Sequence, residues 1–306
     1  MASSSAFSAQ QHPTRSISLP PKLQHPTASK FETKINSLKT FEVSTTVSTV
    51  TPVSAESLEN SLVELAEIYN CVQELLQSST TQHCLLHHQN TSIVDEALEE
   101  SIELLDSCTN IQNLYHKIKE NVQNLQSAMR RKGGVYSSKE NDISAYLSFR
   151  KKTEKDITKG LRTLKNVEKR LAIPFHFNLD QHLSMVVRLI RELTIKTVSI
   201  LRSSLIFLSC PGSKTKWSMI SKLMLKKSCT TSKKGELSIY DAGSVDIVVL
   251  SSLHMQNDDN AALVTANSTL MMFEHSITKV EIAVEGMFRQ LVQYRVSLLN
   301  ILTQSL

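Results

Sequence analysis

Apolar residues recur along this chain at spacings of three and four, in long runs. From Ser54 to about Gln77, Leu58, Leu62, Leu65, Tyr69, Val72 and Leu76 fall on one face, a heptad-type seam. Ser54, just after Pro52, suits an N-cap. Ser78-Ser79-Thr80-Thr81 then interrupts the pattern. A second helix is predicted from about Ser92 to Lys132. Ile93, Val94, Leu98, Leu105 and Cys108 open its stripe, and Ile111, Tyr115, Ile118, Val122, Leu125 and Met129 continue it. Arg130-Arg131-Lys132 places cations at the negative end of the helix dipole, and Gly133-Gly134 supplies a stop.

A third helix is expected from near Ser137, where Ser137 and Glu140 have capping-box spacing, to Pro174. Tyr146, Leu147, Ile157, Leu161, Leu164 and Leu171 face inward. A fourth runs from Asn178 or Asp180 to Ser209. Its apolar face (Leu183, Val186, Val187, Ile190, Leu193, Val198, Leu201, Leu205, Leu208) is broad, which predicts neighbours on several sides. The last seam is the most regular: Leu270, Phe273, Ile277, Val280, Val284, Met287, Leu291, Tyr294, Leu298 and Ile301. A straight helix drifts off such a repeat, so this one should wrap a partner helix, either within the chain or in a second chain. Between Ser213 and about Ala266 the pattern weakens. Trp217, Met219, Ile220, Leu223, Met224 and Leu225 fit a short helix, and Ile247 to Leu253 is an apolar run of undefined type.

Composition agrees with long elements. Only 7 Gly and 7 Pro occur in 306 residues, too few for the many turns of a sheet protein. The five cysteines are odd in number and lack a C-x-x-C pair, which fits a reducing compartment. Arg188, Arg191, Glu192, Lys196 and Arg202 interrupt the one stretch long enough to suggest a membrane span, Leu183 to Leu208. The predicted fold is therefore all-α: a long antiparallel helical bundle with coiled-coil-like seams over residues 54–306, with 213–266 as a partly ordered basic crossover. A disordered Ser/Pro-rich arm, residues 1–53, precedes it.

No Asp or Glu appears in that arm before Glu32. A transit peptide and a disordered regulatory arm share this composition. Prolines at 13, 20, 21 and 26 oppose the amphipathic helix of a mitochondrial signal. Plastid import is thus the alternative to a cytoplasmic, or membrane-peripheral, location. Within the arm, Arg15-Ser16-Ile17-Ser18-Leu19-Pro20 resembles the phosphoserine motif read by 14-3-3 proteins. A phosphate on Ser18 would offer an arginine cluster nearly two charges, and Pro20 would turn the chain away. Arg15, Ser18 and Pro20 are the candidate docking residues.

Charge is unevenly laid out. Twelve acids and no Lys or Arg lie between Thr40 and His116, whereas Lys139 to Lys234 is strongly basic. Three readings follow: complementary helices packed together, a basic face for an anionic membrane or acidic partner, or nucleic acid. The third is disfavoured, since the cations are not interleaved with aromatics. Lys214, Lys216, Lys222, Lys226 and Lys227, with Trp217 and Met219 among them, form a candidate basic surface for anionic lipid or a calmodulin-like groove.

Catalytic chemistry finds little support. His83-Cys84-x-x-His87-His88 has no second ligand cluster nearby, as a zinc site requires. Cys210 to Thr215 lacks the glycines of a phosphate loop. Glu99, Glu100 and Glu103 lack the repeated Glu-x-x-His of di-iron bundles. No catalytic residue, cofactor or metal is expected.

Six segments carry a resemblance: Arg15–Pro20, Ile68-Tyr69-Asn70-Cys71-Val72-Gln73-Glu74-Leu75-Leu76-Gln77, Leu104–Cys108, Leu125–Arg131, Tyr146–Lys152 and Arg295–Leu302. Together they resemble a plant-specific family long labelled domain of unknown function 241, which includes BYPASS-like proteins. The resemblance implies a role in root and shoot development; with the absence of catalytic motifs, the expectation is a non-enzymatic helical interaction protein that acts through protein partners. After Lys227 the chain departs from the family's acidic run, keeping only Glu236, Asp241 and Asp246.

Overall fold

The computed structural model describes residues 29–38, 53–86, 91–131, 136–172, 179–209, 242, 245–249 and 260–303. All regular structure among them is helical. We label the helices α1 (residues 29–38), α2 (Ala55–Leu76), α3 (Ser79–Leu86), α4 (Thr91–Arg130), α5 (Tyr136–Leu171), α6 (Gln181–Leu208), α7 (residues 245–249) and α8 (Asn260–Thr303).

Local signals set the helix ends. The Ser54 hydroxyl accepts from the Ser57 amide at 3.1 Å and caps α2. The Asp180 carboxylate does the same for α6, from the Leu183 amide at 2.8 Å. The Ser/Thr stretch after α2 is an interruption of one helix and the start of another. Ser78 is bonded to the Leu75 carbonyl, and its hydroxyl accepts from the Thr81 amide, so it ends α2 and caps α3.

Four helices make the core: α2, α4, α6 and α8. Helix α8 packs against α2 and α4, and α6 packs against the same two from the opposite side. Every position of the α8 seam from Leu270 to Ile301 is buried, so helices of the same chain cover it. Side-chain pairs give the directions. Gln123 meets Glu274 while Arg295 meets Ser101, so α4 and α8 run antiparallel. Lys279 meets Glu59 while Gln73 meets Gln290, so α2 and α8 run parallel. Helix α5 lies outside the four, antiparallel to α4 and α6. A β-carbon on Gly160 would stand 2.9 Å from Leu205 Cδ1, so glycine lets α5 and α6 close together. Helix α3 crosses one end of the bundle and touches α2, α4, α6 and α8.

Phe207 of α6 reaches through the middle. Its ring stacks on Tyr115 of α4, with centroids 6.4 Å apart, and tilts against Phe273 of α8 at 6.3 Å. Two short helices complete the body. Helix α1, inside the stretch expected as an arm, buries Phe31, Ile35 and Leu38 at 1% exposure each. Helix α7 falls in the expected crossover and buries Val245, Asp246 and Val249. Helix α8 begins ten residues before the first seam position at Leu270.

Candidate functional site

The residues singled out for docking, Arg15, Ser18 and Pro20, lie outside the described residues. So do Lys214, Lys216, Lys222, Lys226 and Lys227. His83 and Cys84 sit on α3, within the gap the sequence left between its first two predicted helices; His87 and His88 are outside the described residues. No group of three or more His, Cys, Asp or Glu side chains among the described residues could hold a metal ion. No helix among them is long and apolar enough to cross a membrane.

Three polar features of the body stand out. The first is a buried clamp at the end of the bundle where α5 begins and α6 ends. Arg150 of α5 is 3% exposed and Asp246 of α7 is 1% exposed. Arg150 Nε donates to both Asp246 oxygens at 3.1 and 3.0 Å, and Nη2 donates to the Leu208 carbonyl at 3.0 Å. The Tyr146 hydroxyl donates to Asp246 Oδ1 at 2.9 Å. A charge taken out of water needs partners of this quality. The clamp fixes α5, α6 and α7 to one another. Sequence reasoning noted Tyr146, Arg150 and Asp246 without joining them, because 96 residues separate Arg150 from Asp246.

The second feature lies within the four-helix core. The Tyr69 hydroxyl and Thr197 Oγ1 are 2.8 Å apart, and the Tyr69 ring meets Tyr294 edge-on at 5.5 Å. Nearby, the Thr194 hydroxyl lies 3.3 Å from Glu100 Oε2. Burial, helped by Glu96, pushes the Glu100 carboxyl up to about 7. Of the other carboxylates grouped with it in the sequence, Glu99 is exposed and Glu103 pairs with Arg170 of α5. That ion pair brings the acidic α4 against the basic α5, as complementary packing predicts.

The third feature is an open groove between α4 and α5, about 280 Å³ in volume, lined by Ser107, Asn110, Lys117, Asp156, Lys159 and Thr163. Its walls are mixed, with Ile111, Leu114, Leu164 and Leu205 beside the polar side chains, and they hold no nucleophile paired with a base. A perturbed carboxyl at Glu100 and a groove elsewhere do not make an active site unless they meet. Glu100 is not among the residues that line the groove.

Comparison with curated proteins and with solved structures returned no match. Comparison with protein families did: the family described as Protein BPS1 matches residues 61–301. That span runs from within α2 to within α8 and covers most of the four-helix core. The chain therefore belongs to the BPS1, or BYPASS-like, family.

Proposed function

We propose that the chain is a non-enzymatic helical interaction protein that acts in root and shoot development, with Ser18 as a phosphorylation-controlled docking point for a 14-3-3-like partner. Membership of the BPS1 family supports a plant regulatory protein. The observation that carries the non-enzymatic part is how buried polar side chains are used. Tyr69, Tyr115, Arg150, Asp246 and Thr197 each bond to another helix or to its end. Buried polar groups spent in this way set the register of a bundle. A rigid body of stacked helices with a docking motif on its N-terminal side suits an adaptor.

The test is direct. Phosphorylated full-length chain is expected to bind a purified 14-3-3 protein, and Ser18→Ala to abolish that binding. Undiminished binding by Ser18→Ala rejects this docking point. A C-terminally tagged chain in plant cells is expected in the cytoplasm with its N-terminus intact. Plastid import with removal of the arm would delete Ser18 and overturn the proposal.

A second reading, peripheral attachment to anionic lipid through Lys214, Lys216, Lys222, Lys226 and Lys227, has one structural feature in its favour. Helices α6 and α7 are held together at one end of the bundle by Arg150, which bonds both Leu208 and Asp246. Leu208 and Asp246, which flank the basic segment in sequence, are thus held close together at one end of the body. On that reading, Lys226→Glu combined with Lys227→Glu lowers co-sedimentation with phosphatidylserine vesicles. Unchanged co-sedimentation rejects it.

A further inference from the structure

Helix α1 is attached to the body by a short apolar face with ion pairs at its rim. It lies antiparallel along α2, with Lys34 paired to Glu67 and Ser37 bonded to Glu64. On its other side Glu32 pairs with Arg188 of α6. It therefore fills the groove between α2 and α6. Phe31, Ile35 and Leu38 are its buried anchors. Their spacing of i, i+4 and i+7 is that of an amphipathic helix laid into an apolar groove, the mode used by many peptide ligands. At ten residues, α1 is shorter than the ~12–15 residues at which an isolated helix becomes even marginal in water. Its helical form depends on the groove.

Chain length alone permits α1 to leave the groove. Leu38 ends α1 beside Glu64, and Ala55 begins α2 about 14 Å away along that helix. Residues 39–52 between the two helices could reach about 46 Å when extended. Leaving the groove therefore requires no unwinding of α2.

We infer that the α2–α6 groove is a helix-binding site, and that α1 is its built-in, exchangeable occupant. Its partner class is an amphipathic helix with a Phe, a β-branched residue and a Leu at i, i+4 and i+7, and with a carboxylate on the side that faces Arg188. A lysine of such a helix faces Glu67, as Lys34 does in the chain's own plug. A competing helix binds when α1 leaves, and the tether raises the local concentration of α1 against it.

Cys71 makes this measurable. The pairs Lys34–Glu67 and Ser37–Glu64 set a register that places Lys30 beside Cys71. Burial raises the Cys71 thiol, while Lys30 and Lys34 of α1 pull it the other way. Cys71 is 2% exposed under this cover, and Cys108 of α4 is 0% exposed in the central core. The full-length chain is treated with N-ethylmaleimide under native conditions, and each cysteine is read by peptide mass spectrometry. Ile35→Asp is expected to speed labelling of Cys71 at least tenfold and leave Cys108 unchanged. A synthetic peptide of residues 28–40, added to Ile35→Asp, restores protection; the same peptide with Asp at the three anchors does not. The milder Lys34→Glu raises Cys71 labelling by a smaller factor, and Glu67→Lys added to it reverses the rise. The proposal is overturned if Cys71 labels equally in both proteins, if Cys108 rises in step with it, or if the peptide gives no protection.

Discussion

Helices α1 and α7 are both short, and both are added to the core from outside it, yet opposite means hold them. Helix α1 rests on three apolar anchors with ion pairs at its rim, where Glu67 is 56% exposed and Arg188 55%. Helix α7 also buries apolar side chains, but its ion pair lies inside, with Arg150 and Asp246 at 2% and 1% side-chain exposure. The dielectric surroundings decide the outcome. A rim pair is solvated before and after release, so losing it costs little. A buried pair cannot be half-broken, because the remaining charge has no water to return to. The α1 contact can therefore open alone, whereas the α7 contact opens only with the end of the bundle.

The sharpest test of that difference is Arg150→Ala. It strands Asp246 in the interior and is expected to lower global stability by about 3–5 kcal/mol, measured by urea denaturation. A loss below about 1 kcal/mol would put Asp246 in contact with water and dissolve the contrast. Between the two extremes lies Glu100, half-buried and with its carboxyl raised to about 7. Its proton is held more tightly in the folded chain than in the unfolded one, where the value is 4.5. Stability should therefore fall as pH rises from about 4.5 to 7 and level off above. Glu100→Gln should flatten that slope and stabilise the chain at pH 8 by on the order of 1–2 kcal/mol, allowing for partial solvent screening. Thermal melts at pH 5 and pH 8 read both effects. The smallest change is expected from Lys34→Ala: about 0.2–1 kcal/mol, confined to α1. Hydrogen exchange should show faster exchange at residues 29–38 and none elsewhere. A loss spread over the four-helix core would make α1 part of the cooperative unit.

The same contrast marks what the sequence could and could not show. Helices α2, α4, α5, α6 and α8 were legible because each repeats its apolar spacing over many turns, and Ser54 and Asp180 announced two starts. Phe31, Ile35 and Leu38 have correct helical spacing, but three positions inside a Ser- and Pro-rich stretch do not outweigh that composition. In Ser78 to Thr81, polar side chains that interrupt a helix are the same ones that cap the next, so a break and a new start look alike in sequence. The clamp was out of reach for another reason. Asp246 borders the apolar run at Ile247 and Tyr146 was read as facing inward, but nothing in the sequence marks Arg150 as buried or joins the three. Complementarity between α4 and α5 was visible as a charge layout, although only the structure shows which pair, Glu103 and Arg170, expresses it.

The placement of α8 bears on how the chain is made. Helix α8 is the last of the described helices to be synthesised, yet it is a principal neighbour of α2, the first helix of the four-helix core. While α4, α5 and α6 emerge from the ribosome, Leu58, Leu62, Leu65 and Tyr69 have at most part of their final cover. Pairing over such a separation closes a long loop, which is slow, and meanwhile leaves a leucine-rich face open to other nascent chains. A message truncated before residue 260 would therefore yield a sticky product rather than a smaller bundle. For this fold, the interval between the first helix and the last is the period in which a chaperone matters most.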